Sequence, residues 1–179
     1  MVAGKPQIDI FSFRNDNFSM KYLTENQLSE LEDYLLKNYV DPKNVDKICF
    51  QAAYNPFEGK SLEDVIKEPV ETFQDKLFSM IKEKNLDEVE VYKNANITRQ
   101  AFSKIRSEKD YHPAKNTVFS LAIGMKLSID ETSELLKKAG YSFSSANKAA
   151  LIVQYFIYHK IYNIDAVNEA LEKYGFSAL

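Results

Sequence analysis

Apolar residues recur at helical spacing over most of this chain. Near the start, Thr24 and Gln27 form a capping box, in which each residue's side chain accepts a hydrogen bond from the other's backbone. Four leucines then follow at helical spacing: Leu28, Leu31, Leu35 and Leu36. The pattern predicts a helix from about Thr24 that ends before Pro42, because the residue preceding a proline is disfavoured in helical geometry.

From Val70 onward the pattern predicts helices only. Ser128 and Glu131 form a second capping box, Gly140 is a plausible helix end, and Asn163 and Gly175 bracket the last helix. The predicted helices cover residues 70–84, 87–94, 98–107, 114–125, 128–140, 145–159 and 164–174, each to within a few residues.

The first 68 residues have a mixed pattern. The stretch from Ile8 to Phe13 looks like a strand, and alternation from Phe18 to Tyr22 allows a hairpin. Residues 44–54 fit either a strand or a short helix, and residues 60–69 look like a connector. We therefore expect a mainly α chain with a small N-terminal α+β domain at 1–68 and a helical domain at 69–179. The candidate role of the N-terminal domain is that of a partner or sensor domain.

Two short amphipathic segments within the helical region predict a helix-turn-helix. The first helix would run from about Asp87 to Asn94, the turn through residues 95–97, and the second helix from about Thr98 to Ser107. Thr98 is a good N-cap, and Phe102 and Ile105 would face inward. The side chains left outside, where a recognition helix contacts a DNA groove, are Arg99, Gln100, Ser103, Lys104 and Arg106.

The distribution of charge along the chain supports a DNA-binding surface at the predicted helix-turn-helix. The whole chain carries a net charge of −3, but residues 95–127 contain six basic and two acidic side chains. Lys109 and Lys115 extend the basic group beyond the second helix, and Lys115 could bind a phosphate at the start of the next helix. The alternative is that these charges form an ordinary solvated helix face.

Several short runs point to a known family: residues 91–93 (VYK), 102–107 (FSKIRS), 135–141 and Pro113 with residues 115–117. Over about residues 70–175 the chain resembles an XRE-type, phage-repressor-like helix-turn-helix module that is appended to diverse bacterial proteins. The resemblance implies a helical repressor-like bundle and DNA binding. The sequence departs from that pattern at its last residues, where relatives tend to have a Phe-Gly-Gln-Pro-like ending.

A tyrosine-rich segment near the end of the chain is apolar around much of its circumference. Such a helix is buried on several sides, either in the core or against another subunit. We expect a homodimer interface built on Tyr155, Tyr158 and Ile161, with core packing as the alternative.

The sequence offers little for catalysis. It has no glycine-rich phosphate loop, nucleophile elbow or paired acidic motif, and its two histidines, His112 and His159, stand in no metal-ligand pattern. We expect no enzyme activity, no cofactor and no metal. A single cysteine, Cys49, and the lack of a long apolar run favour a cytoplasmic protein without a membrane segment.

The leading hypothesis is a dimeric DNA-binding transcriptional regulator, and the alternative is a protein-interaction module or adaptor in a bacterial defence or regulatory complex.

Overall fold

The computed structural model describes residues 21–41, 71–108 and 111–179. Within these ranges the chain forms eight helices and no strand. The helices are α1 (Glu25–Asn38), α2 (Phe73–Glu83), α3 (Glu88–Asn94), α4 (Arg99–Ser107), α5 (Lys115–Gly124), α6 (Ile129–Lys138), α7 (Lys148–Tyr158) and α8 (Ile164–Lys173). The expected mainly α fold is confirmed.

Most helices begin at a side-chain cap. The two predicted capping boxes are present at the starts of α1 and α6, and Thr72 forms another with Asp75 ahead of α2. Thr98 caps α4 as expected, and Asn163 accepts hydrogen bonds from two backbone N–H groups of α8. These contacts involve residues at most three apart, so the sequence alone can specify them.

Six helices end in the same way, with one residue in the left-handed conformation followed by an apolar residue. The left-handed residues are Asn85, Asn96, Lys126, Gly140, Lys160 and Gly175. In each case the next residue donates its N–H to a carbonyl five residues earlier, as Leu127 does to Ala122 at 2.9 Å. This Schellman arrangement satisfies carbonyls at the helix end and brings an apolar side chain back onto the core.

Two helices form the centre of the bundle. Every residue of α5 from 118 to 124 is buried, and α5 packs against α3, α6 and α8. The apolar helix α7 packs against α1, α6 and α8. Because neither helix has a broad polar face, the other helices must cover both of them.

Helix α1 belongs to this core although it lies in the N-terminal part of the chain. It packs on α7, where the ring of Tyr34 contacts the ring of Tyr155 edge-on with centroids 5.4 Å apart. Leu31 and Leu35 are fully buried in the shared core.

The predicted small N-terminal α+β domain is not supported. Residues 21–41 contribute a helix to the bundle and no strand. The predicted strand at 8–13, the strand or short helix at 44–54, the connector at 60–69 and the boundary near residue 68 lie outside the described residues.

A buried carboxylate fixes the start of α1. Glu169 on α8 is 7% exposed and accepts hydrogen bonds from three consecutive backbone N–H groups. Tyr22 donates at 2.9 Å and Leu23 at 2.7 Å, and Lys21 donates as well. One side chain therefore accepts hydrogen bonds from three backbone N–H groups that have no partner within a helix or strand.

We predict that Glu169→Ala lowers the free energy of unfolding by about 3 kcal/mol, because it leaves the buried N–H of Leu23 and the partly buried N–H groups of Lys21 and Tyr22 unpaired. Urea unfolding followed by circular dichroism measures this loss. Glu169→Gln is the matched control: it keeps one carbonyl acceptor and should cost less than Glu169→Ala. Equal stability of the alanine variant and the wild type would contradict the assigned role.

Candidate nucleic-acid interface

Helices α3 and α4 are joined by a tight turn whose geometry follows from local residues. Asp87 caps α3, and Asn96 has a positive φ of 52°. The N–H of Ile97 then donates to the carbonyl of Tyr92 at 2.9 Å. The side chain of Thr98 accepts the N–H of Ala101 at 3.2 Å, so α4 begins directly after the turn. The helices and the turn lie where the sequence pattern predicted them.

The end of α3 sits directly on α5. A Cβ atom added at Gly124 would lie 2.7 Å from the backbone nitrogen of Ala95, which is closer than carbon atoms come to such neighbours. Only glycine therefore allows this approach. The contact fixes the position of the turn, and with it the start of α4.

The inner face of α4 is apolar. Phe102 and Ile105 are buried, and the Phe102 ring contacts Phe78 and Tyr92 with centroid separations of 5.9 and 5.8 Å. These aromatic contacts hold α4 against α2 and α3.

The opposite face of α4 is exposed and polar. We call its four residues the outer stripe: Arg99, Gln100, Ser103 and Lys104. At 3.6 residues per turn they lie within an arc of about 140°. No salt bridge to the outer stripe occurs among the described residues, so its two cations face solvent.

Arg106 is placed differently from the rest of the predicted set. Its guanidinium forms an ion pair with Glu88 at the start of α3 and lies over the Phe78 ring, 5.3 Å from the centroid. The side chain thus connects α4 to α2 and α3. Arg106 is exposed, and its role as a groove-facing residue stays a prediction beside these contacts within the protein.

Lys115 also turns inward. Its Nζ atom donates to the carbonyl of Ser142 at 2.8 Å and lies 5.5 Å from the ring centroid of Phe119. Burial lowers the pKa of this lysine. In the structure this lysine therefore contacts a backbone carbonyl and a ring of the protein, and its phosphate contact stays a prediction. Lys109, the remaining predicted cation, lies outside the described residues.

A cleft of about 400 Å³ separates α3 from α4, and sequence reasoning missed it. Val89, Tyr92 and Phe102 form its apolar part, while Arg99 and Glu88 are among its charged residues. Val89 is 41% exposed. No local pattern indicates this cleft, because Glu88 meets Arg106 across the helix pair, 18 positions away along the chain.

The three residues predicted for a subunit interface do not share one surface. Tyr155 is 1% exposed because α1 covers it, and its hydroxyl lies 3.3 Å from Glu30 Oε2. Burial, with the nearby Glu30 carboxylate, raises the pKa of Tyr155 to about 12. Its interface assignment is corrected to a core role. Tyr158 is 66% exposed and Ile161 is half-buried.

The histidines make aromatic contacts. The His112 ring packs against Tyr141 and the His159 ring against Tyr155, with centroids 5.4 and 4.4 Å apart. The described residues contain no group of three potential metal ligands. Within the same residues, no helix combines the length and apolar character needed to cross a membrane.

Comparison of the chain with protein-family models, with curated proteins and with solved structures finds no match.

We predict that Gly124→Ala lowers the free energy of unfolding by about 1–3 kcal/mol, because the added methyl overpacks the contact with Ala95. Thermal unfolding measures the loss. The double variant Gly124→Ala with Ala95→Gly serves as the control. Two of the three nearest atoms belong to the Ala95 backbone, so removing its methyl should restore only part of the stability. Wild-type stability of the single variant would contradict the close fit.

Proposed function

We propose that this protein binds DNA as a transcriptional regulator, with α3 and α4 acting as a helix-turn-helix and α4 entering the major groove. The observation that carries this proposal is the outer stripe. It places two cations, an amide and a hydroxyl on one exposed helix face while the other face of the helix is anchored in the core.

The chemistry of the outer stripe suits a duplex. Arg99 and Lys104 can contact phosphate oxygens, and Arg99 can also pair with guanine. Gln100 can form two hydrogen bonds with adenine, and Ser103 can bond to either type of base edge. Two cations supply only a modest electrostatic contribution, and the net charge of the chain is negative. A single copy should therefore bind weakly.

A second copy would supply the missing affinity, since repressor-like domains usually bind two half-sites as a dimer. With Tyr155 buried, the dimer part of the proposal rests on Tyr158 and the neighbouring Ile161. Tyr158 is the most exposed large apolar side chain of the described residues.

Replacing both Arg99 and Lys104 with Ala should weaken binding to duplex DNA and reduce its salt dependence. Removing one phosphate-binding cation makes the slope of log affinity against log salt shallower by roughly 0.9. Fluorescence anisotropy with a labelled duplex from the protein's own upstream region, at several salt concentrations, measures both effects.

Two controls make this titration specific. Lys37→Ala with Lys137→Ala removes the same charge from exposed positions on α1 and α6 and should leave the slope unchanged. Gln100→Ala should change the preference between duplex sequences more than the salt slope. An unchanged slope for the Arg99 and Lys104 double variant would rule out the outer stripe as the DNA surface.

For the dimer, Tyr158→Asp should produce a folded monomer with reduced DNA affinity, because a charge would be placed where apolar surfaces meet. Light scattering gives the mass, and circular dichroism checks the fold. Tyr158→Phe, which keeps the ring, should remain dimeric. A wild-type protein that is monomeric at all accessible concentrations would refute this part of the proposal.

The cleft between α3 and α4 favours a second candidate, a protein-interaction module. Its exposed Val89 and the neighbouring Tyr92 and Phe102 could contact an apolar side chain of a partner. Arg99, which also lines the cleft, could form an ion pair with an acidic side chain of the same partner. Failure to bind any duplex, with loss of a co-purifying protein in Val89→Asp, would favour this candidate over DNA binding.

A further inference from the structure

A second cavity lies on another part of the bundle, between α5, α7, α8 and the final residues of the chain. It has a volume of about 210 Å³. Phe119, Val153, Leu171 and Phe176 give it apolar walls, and Lys115 and Asn147 are among its polar residues. The cavity shares no lining residue with the cleft between α3 and α4.

The last residues of the chain form a fixed wall of this cavity. Phe176 donates its N–H to the carbonyl of Leu171 at 2.9 Å. The side-chain amide of Asn116 donates to the carbonyl of Ala178 at 3.3 Å, and the N–H of Leu179 donates to Asn168 Oδ1 at 2.8 Å. Three hydrogen bonds thus hold this segment across the helices, so the wall is in place before any ligand enters.

Lys115 has the only charged side chain in the lining, which also includes Leu179, the last residue of the sequence. Its ammonium group is partly withdrawn from water and bonds to the Ser142 carbonyl, but no carboxylate of the described residues forms an ion pair with it. Desolvation of an ammonium group without a counter-charge is costly, which accords with the lowered pKa of this lysine. A negatively charged ligand would offset that cost.

We propose that this cavity binds a small carboxylic acid with an apolar body, whose carboxylate pairs with Lys115 while its carbon chain or ring lies against Phe119, Val153 and Leu171. The volume is below the ~300 Å³ at which sites for drug-sized ligands begin. The ligand is therefore a short fatty acid or a single-ring acid. This site is separate from the proposed DNA surface and does not depend on it.

Hexanoate is a suitable probe, and hexanamide is its neutral counterpart of the same size. In an NMR titration of the full ¹⁵N-labelled chain, hexanoate should give saturable shifts at residues lining the cavity. For so small a ligand we expect a Kd on the order of 1 mM. Hexanamide should bind at least tenfold more weakly, because it lacks the charge that pairs with Lys115.

Substitutions separate the charge from the cavity. Lys115→Met keeps the length and apolar character of the stem and should weaken hexanoate binding at least tenfold, whereas Lys137→Met on α6 should have no effect. Val153→Met fills the cavity and should abolish binding of both probes while Lys115 remains. Circular dichroism and the dispersion of the NMR spectrum confirm that each variant is folded.

Three results would overturn the proposal. They are no saturable shift with hexanoate, equal affinity for hexanoate and hexanamide, and undiminished hexanoate binding by either Lys115→Met or Val153→Met. None of them bears on DNA binding by the outer stripe, which the salt titration tests independently.

Discussion

The backbone contact between Ala95 and Gly124 determines how the candidate interface is presented. Residues 118–124 of α5 are all buried, so the position of this part of the helix is set by the core and not by solvent. Because Gly124 has no side chain, the backbone at the end of α3 can lie close to the backbone of α5. The turn and the start of α4 follow from that contact. The outer stripe is therefore positioned by a residue that lies in another helix.

Features specified by neighbouring residues could be predicted from the sequence. The caps at Thr24, Thr98 and Ser128 and the helix end at Gly140 depend on contacts within a few positions, so the helices begin and end close to where the pattern placed them. The burial of Tyr155 could not be predicted in this way. Periodicity shows that α7 is apolar on several sides, but not that α1, more than a hundred residues earlier, covers it.

The charge count illustrates a second limit of sequence reasoning. Six basic residues between positions 95 and 127 suggest one continuous basic surface. Arg106 instead pairs with Glu88 and Lys115 with a backbone carbonyl, both through contacts between distant parts of the chain. The positive surface is consequently narrower than its composition implies. The basic residues of this segment therefore have three different surroundings. Arg99 and Lys104 lie on the outer stripe, Arg106 lies in a contact between helices, and Lys115 lines a cavity.

The Glu169 carboxylate that holds the start of α1 has a consequence for biosynthesis. Helix α1 is synthesised well before its anchor, which lies 146 positions after Leu23. At about 5–20 residues per second, on the order of ten seconds pass before Glu169 is synthesised. For most of that interval the leucine face of α1 has neither its anchor nor α7 to cover it. The leucine face of α1 is therefore covered only after α7 and α8, which are synthesised later, pack against it.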